Sequence, residues 1–166
     1  MDLGALQEQL EALHPSSFAW ALACCGRRAD EAEEVLQNVY LKIIEGKARF
    51  DGKSTLKTWL FSVIRRTAAE HFRWRRLRFF ATPVKNEETA DARMERNETI
   101  AQIVRALGQL STRQREVLHL VFYQEMTIEQ AAETLGLSLG SARVHYERGK
   151  RRLAERLKKE VRVVFA

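Results

Sequence analysis

The chain has 166 residues, with 28 Lys and Arg against 22 Asp and Glu for a net charge of +6, and 45% of its residues are hydrophobic. That length suits one ordinary domain or two small ones, and the normal apolar fraction excludes wholesale disorder. The longest apolar run, Phe18 to Cys25, has eight residues, far short of the ~20 a membrane span needs, and the start Met1-Asp2-Leu3-Gly4 has no basic n-region, so no membrane helix or secretory signal is expected and the expected location is cytoplasmic.

The periodicity is helical from end to end. Leu3, Leu6, Leu10 and Leu13 recur at three- and four-residue steps, and Pro15-Ser16 is expected to start a new segment. Asp30 is placed to cap a second helix whose apolar face holds Ala32, Val35, Leu36, Val39, Tyr40, Ile43 and Ile44, with Gly46 ending it. Ser54 or Thr55 opens a third, with Trp59, Leu60, Val63 and Ile64 inward and an Arg-rich C-terminal half. The stretch from Phe80 to Arg96 holds Pro83 and no apolar stripe and reads as a linker.

Beyond it a helix turns Ile100, Ile103, Val104 and Leu107 inward and stops at Gly108. Ser111-Thr112-Arg113-Gln114 has the pattern of a capping box, opening a helix with Val117, Leu118, Val121 and Phe122 apolar. Thr127-Ile128-Glu129-Gln130 repeats the device for a helix carrying Ala131, Ala132 and Leu135, and after Gly136 Ser138 precedes a long basic helix to about Leu157. Strand alternation is absent, so the expected fold is all-α, with two small helical domains over 1–79 and 97–166 joined by a flexible linker over 80–96.

Charge follows the same division, at +3, −1 and +4 for residues 1–79, 80–96 and 97–166. Arg65, Arg66, Arg73, Arg75, Arg76 and Arg78 close the first block, and Arg143, Arg148, Lys150, Arg151 and Arg152 cluster near the end of the second. Two Arg-rich segments make a plausible phosphate-binding footprint. In the first they interleave with Trp59, Phe61, Phe72, Trp74, Phe79 and Phe80, a composition suited to single-stranded nucleic acid, where bases stack on rings and cations follow the backbone. Trp59 and Phe72 equally suit a helical core.

Thr127 to Leu153 carries the sharpest local signal: a short capped helix, a tight turn at Gly136-Leu137-Ser138, then a longer basic helix. That is a helix-turn-helix, whose second helix enters the major groove. On that helix Ala142, Tyr146, Gly149 and Leu153 share one face, and Val144, Glu147, Arg148 and Arg151 the other, with Arg143 on its flank. Arginine binds guanine through two parallel bonds, and Val144 suits a thymine methyl. Glu147 suits either a cytosine amino group or an ion pair with Arg143 or Arg151. Lys150, Arg151 and Arg152 suit phosphates.

Other chemistry is not expected. Gly52-Lys53-Ser54 invites a phosphate-loop reading, but Lys47 stands where that loop needs its first glycine, and no strand precedes it. His14, His71, His119 and His145 are scattered, and Cys24-Cys25 reads as two small buried or half-buried hydrophobes rather than a disulfide or metal site. No catalytic residue, metal, cofactor or small-molecule substrate is expected.

The two blocks, in this order, resemble the extracytoplasmic-function (ECF) sigma factors of bacterial RNA polymerase. Glu31 to Tyr40, Phe50 to Phe61 and Ala68 to Arg73 resemble sigma region two; Leu110 to Leu118 and Ile128 to Gly136 resemble region four. The chain departs from the usual pattern at Arg66, where asparagine is common, at Glu70, where aspartate is, and at His145, where arginine is.

The resemblance implies three binding surfaces. Glu33, Glu34, Gln37 and Asn38 would face the basic coiled coil of the polymerase clamp. Asp51, Lys53, Ser54, Thr55, Lys57, Thr58, Trp59, Arg65, Arg66 and Arg73 would engage the minus-ten element, the loop holding a base whose extrusion costs a few kcal/mol. Thr127, Ser141, Arg143, Val144, Glu147, Arg148, Lys150 and Arg151 would engage the minus-thirty-five element. The implied partners are core RNA polymerase, promoter DNA in double- and single-stranded form, and an anti-sigma factor. The alternative is a conventional helix-turn-helix regulator that does not replace the sigma subunit.

Overall fold

The structure, a computed structural model, describes the backbone of residues 3–78 and 98–164 and the side chains of residues 4–74 and 102–158. The expected linker 80–96, Phe79 and Phe80, and the side chains of Arg75, Arg76 and Arg78 lie outside the described residues. Among those described there is no strand, and the chain divides into two compact helical units.

The first unit packs three helices pairwise against one another: α1 (Leu3–Cys24), α2 (Ala29–Ile44) and α3 (Leu56–Arg78). Its core holds Trp20, Ala21, Cys25, Val35, Leu36, Val39, Leu60, Phe61 and Ile64. The Trp20 indole N–H donates to the Phe61 carbonyl at 3.0 Å, and the two rings stack 6.0 Å apart. Burial pushes the Cys25 thiol up to about 11, so it stays protonated and acts as a small hydrophobe.

Two local expectations are corrected here. α1 runs straight through Pro15 instead of restarting there. Proline removes the N–H that would bond back to Glu11, at a cost of about 3 kcal/mol. Pro15 sits on the exposed side, Ser16 Oγ donates to the Leu13 carbonyl at 2.9 Å, and the buried Ser17, Trp20 and Ala21 hold the next turn against the core. α2 is capped by the backbone of Arg28, whose carbonyl accepts from Ala32, and Asp30 lies inside the first turn with Glu31. The chain has already turned at Gly26 and Arg27, both with positive φ, so the helix begins before Asp30 can cap it.

At the start of α3, Thr55 is the cap: its Oγ1 accepts from the Thr58 N–H at 3.1 Å and its carbonyl from Trp59.

The C-terminal part of the chain, most of it the second unit, contains α4 (Glu98–Gly108), α5 (Thr112–Leu118) with a π turn continuing it over His119–Tyr123, α6 (Ile128–Leu135) and α7 (Leu139–Val164). Both capping boxes form. Ser111 and Gln114 exchange bonds of 3.4 and 3.3 Å, and Thr127 and Gln130 bonds of 3.1 and 2.9 Å. Ser138 Oγ accepts from the Ser141 N–H at 3.1 Å and caps α7. Gly136 ends α6 with φ +63°, and the Leu137 N–H reaches back to the Ala132 carbonyl, a left-handed stop that favours glycine.

Val117 and Leu118 are buried as expected, Val121 is half-buried, and the π turn displaces the end of the expected face at Phe122. Its wider turn shifts the register, so Leu120 is buried while Phe122 and Tyr123 are 62% and 68% exposed. On α4, Ala106 fills the core and Ile103 is exposed. α7 extends past the expected Leu157 to Val164. Its inner face is as expected, with Ala142 and Gly149 buried. A Cβ at Gly149 would meet the Leu118 Cδ1 at 3.2 Å and Gln114 Cβ at 3.4 Å, so α5 and α7 approach as closely as they do because that position carries no side chain.

Gly149→Val should therefore lower the thermal unfolding midpoint, since overpacking a close contact costs about 1–3 kcal/mol; an unchanged midpoint would show slack between α5 and α7. A second expectation concerns His119, which lies 3.4 Å from Gln124 Nε2 and 5.0 Å from the Tyr123 ring, and whose pKa burial pushes down from 6.5 to about 4. The unfolded chain takes up this proton near pH 6.5 and the folded chain only near 4. Stability therefore falls as pH drops through that window, by on the order of 2–3 kcal/mol. In urea titrations at pH 7 and pH 4, His119→Gln should lose less stability than the wild type; equal losses would mean the imidazole is solvated in the fold.

Candidate nucleic-acid interface

Three surfaces gather the residues singled out in the sequence. On α2, Glu33, Glu34 and Gln37 are exposed and Asn38 is half-buried. Glu31, beside them, is buried: Arg28 pairs with its carboxylate at 2.8 Å, and His71 Nε2 lies 4.0 Å away. His71 Nδ1 lies 3.8 Å from Glu34, so α3 braces this acidic turn from behind. Glu31 thus serves the fold, and Glu34 and Gln37 face outward.

The same stripe of α2 continues to Leu41 and Ile44, which are 52% and 79% exposed. Ile44 was expected inward. Helical spacing alone does not separate an apolar residue that packs in the core from one left on the surface. Leu41 and Ile44 extend the Glu34–Gln37 surface by two turns of apolar character, a feature the sequence reading missed.

The second surface is the loop before α3 and the exposed side of that helix. Asp51 accepts from the Lys53 N–H at 3.2 Å and pairs with its ammonium at 2.8 Å, and both side chains are exposed. The Lys53 side-chain hydrogen bond, followed by its backbone bond, holds the Asp51 carboxyl below the usual range. Ser54 is half-buried and Thr55 exposed. Thr58 is buried, and its Oγ1 accepts from the Thr55 hydroxyl at 2.8 Å, so it steadies the loop from inside rather than offering a hydroxyl outward. Trp59 is half-buried with its ring 5.4 Å from Phe50. Lys57 lies over the Phe61 ring at 5.5 Å. Arg65 is half-buried, while Arg66 and Arg73 are exposed, Arg66 Nε donating to the Ser62 carbonyl at 3.3 Å.

Beside this helix lies a pocket of about 380 Å³ lined by Lys42, Lys47, Arg49, Trp59, Arg66 and Glu70, among others. Lys42, Lys47 and Arg49 were not singled out in the sequence. Two of them come from the aperiodic turn after α2; the usable signal was a Lys47/Arg49 pair just past the helix-ending Gly46.

The third surface is the exposed face of α7. Ser141, Arg143, Val144, Glu147, Arg148 and Arg151 all lie on it, opposite Ala142 and Gly149. Arg143 pairs with Glu129 of α6 at 3.5 Å, and Glu147 pairs with Lys150 at 3.0 Å. Glu147 therefore pairs with neither Arg143 nor Arg151, because Arg143 leans across the turn to α6 and Lys150 is nearer along the helix. Lys150 also sits 4.3 Å over the Tyr146 ring, which stacks on Phe122. Its pKa is raised, first by the Glu147 hydrogen bond. Thr127 serves as the cap of α6, and Ser141, whose N–H is capped by Ser138, accepts at its Oγ from the Ser138 hydroxyl, so both are engaged at helix starts. Arg148 and Arg151 complete an exposed basic stripe.

Comparison with known proteins agrees with this layout. The family model described as Sigma-70 region 2 matches residues 10–78, and that described as Sigma-70, region 4 matches residues 100–153. The ECF RNA polymerase sigma factor SigX of Bacillus subtilis is 30% identical over 130 residues, covering 72% of this chain and 67% of SigX. EcfG of Rhodopseudomonas palustris, also an ECF sigma factor, is 28% identical over 156 residues, covering 90% of this chain and 83% of EcfG. Among solved structures, CnrH in complex with the cytosolic domain of CnrY superposes with a TM-score of 0.65 at 26% identity, covering 92% of this chain and 87% of that one. The sigma factor RpoE of Bartonella quintana, solved with the anti-sigma factor NepR, has the same fold, with a TM-score of 0.72 at 23% identity over 94% of this chain and 98% of that one. A conventional helix-turn-helix regulator would not account for the region 2 match alongside that of region 4. With both regions matched in order and a relative of this identity, the chain belongs to the ECF sigma factors, the subunits that direct RNA polymerase to promoters and start transcription.

Proposed function

We propose that the three surfaces divide the work of initiation as follows. Glu33, Glu34, Gln37 and Asn38 on α2 dock on the polymerase clamp, where carboxylates and amides take charge-assisted bonds from basic side chains. The Asp51–Trp59 segment with Arg65, Arg66 and Arg73 engages the minus-ten element once its strands part. α7 lies in the major groove of the minus-thirty-five element, with Arg143, Val144, Glu147 and Arg148 toward base edges and Lys150 and Arg151 toward phosphates. Residues 1–79 and 97–166 act as the two binding domains and 80–96 as the tether between them. Phosphodiester chemistry belongs to the polymerase, and the protein works in the cytoplasm with it. No described helix is long and apolar enough to cross a membrane.

The observation that carries this reading is the exposed, basic outer face of α7, opposite the buried Ala142 and Gly149, in a chain that also matches region 2. A separate anti-sigma factor holds the protein in check: CnrH and the Bartonella RpoE, which share its fold, were each solved bound to such a partner or to a partner's cytosolic domain.

Transcript profiling after overexpression identifies the promoters, and transcription with purified core polymerase then tests the reading. Core plus this protein should yield promoter-specific transcripts; a requirement for another sigma subunit would sink the proposal. Arg148→Ala should relax preference at a single upstream base pair, at a cost of about 1–3 kcal/mol in discrimination, and undiminished discrimination would remove Arg148 from the reading face. The double change Glu34→Ala with Gln37→Ala should weaken core binding while circular dichroism stays as in the wild type. Normal affinity for core would take the clamp surface off α2.

A further inference from the structure

We infer that Glu147 reads a base bearing an exocyclic amino group, cytosine or adenine, and that Lys150 and Tyr146 are the positioning residues that hold its carboxylate in the groove. The inference rests on the assignment of α7 to the minus-thirty-five element. It deepens that assignment and replaces the phosphate contact given there to Lys150.

A carboxylate on a face that meets a polyanion is repelled by the phosphates unless a cation compensates it. Glu147 is such a carboxylate, exposed among Arg143, Val144, Arg148 and Arg151 on the outer face of α7. Lys150 Nζ lies 3.0 Å from its Oε1, so the pair together carries no net charge. The second carboxylate oxygen has acceptor capacity for an outside N–H. In the major groove the base-edge N–H groups are cytosine N4 and adenine N6, whereas guanine and thymine present acceptors that repel a carboxylate. The compensated Glu147 therefore favours the two amino-bearing bases and disfavours the other two.

Lys150 is held from two sides. Its Nζ sits 4.3 Å over the Tyr146 ring, and that ring stacks on Phe122 at 5.8 Å with 25° between the planes. The π turn that leaves Phe122 on the surface thus gives the Tyr146 ring an aromatic support. Tyr146 and Glu147 are consecutive, and Lys150 follows Glu147 at the three-residue step that brings helix side chains together, so one ammonium meets both. An ammonium shared by a ring and a carboxylate is fixed in place, whereas a phosphate contact needs a side chain that reaches outward. Exposure agrees: Lys150 is half-buried, and Arg148 and Arg151 are exposed. Arg143 is drawn to Glu129 at 3.5 Å, which leaves Lys150 as the counter-charge of Glu147.

The test uses holoenzyme assembled from core polymerase and the full chain, on a promoter it transcribes, with all four base pairs placed in turn at each minus-thirty-five position. Glu147→Ala should flatten the preference at one base pair, where the wild type favours cytosine or adenine by about fivefold or more; the four-pair series says which. Lys150→Met keeps the stem and removes the charge. It should flatten the preference at that same pair, and Lys150→Arg should keep most of it. Tyr146→Leu should weaken that preference with the salt slope unchanged, since no phosphate contact is lost, and Tyr146→Phe should retain it. A Lys150→Met holoenzyme that keeps the full preference but binds every sequence more weakly, with a salt slope lower by about one, would overturn the inference and return Lys150 to a phosphate. So would a Glu147→Ala holoenzyme with wild-type preference at every position. Either result leaves the sigma assignment standing. Absence of a promoter-specific transcript from the wild-type holoenzyme would overturn both.

Discussion

The first unit depends on one buried polar contact. Trp20 is the largest side chain in its core, and burying an indole without a partner for its N–H would cost much of what its burial contributes. The partner is the Phe61 carbonyl, in the body of α3. The bond and the ring stack beneath it fix α3 along its axis against α1. With α3 fixed, the Thr55 cap, the Thr58 hydroxyl under it and Trp59 beside Phe50 all fall into place one turn away. The loop before α3 inherits its position from a core bond rather than from its own residues, most of which are exposed.

The second unit solves a different problem. A helix proposed to lie against DNA must stay basic outside and still pack tightly inside. α7 does this with small residues: Gly149 lets α5 come close, Ala142 is buried on the same face, and the opposite face keeps Arg148 and Arg151 free of the core. The ion pairs Arg143–Glu129 and Glu147–Lys150 orient long side chains on that face at little thermodynamic gain, since exposed pairs contribute little.

What was legible in the sequence was local chemistry. Both capping boxes are read from four residues each, and both form, because a hydroxyl and an amide three positions apart need nothing from the rest of the fold. The inner face of α7 is legible for the same reason, as a repeat of small and apolar residues at helical spacing. Pro15 and Asp30 were misread where tertiary packing overruled a local rule: the core holds α1 through its proline, and the turn at Gly26-Arg27 starts α2 early. Ile44 and Phe122 were misplaced because periodicity assumes that every apolar residue on a stripe is inside and that the turn stays at 3.6 residues. Of the candidate DNA-contacting residues, those on helices were found by pattern, whereas Lys47 and Arg49, on an aperiodic turn, were visible only once α3 stood beside them.

The caps of the second unit carry one more consequence. Ser111, Thr127 and Ser138 begin three successive helices, and all three are neutral hydroxyls where aspartate would serve as well. A carboxylate at those ends would be repelled by a polyanion and would loosen as it protonated. Hydroxyl caps have no charge to repel and no proton to gain at ordinary pH. α5 and α7 have no acidic residue in the first turn, so the partial positive charge at their starts is left unspent, and where α7 is proposed to meet a polyanion it has the same sign as the arginines.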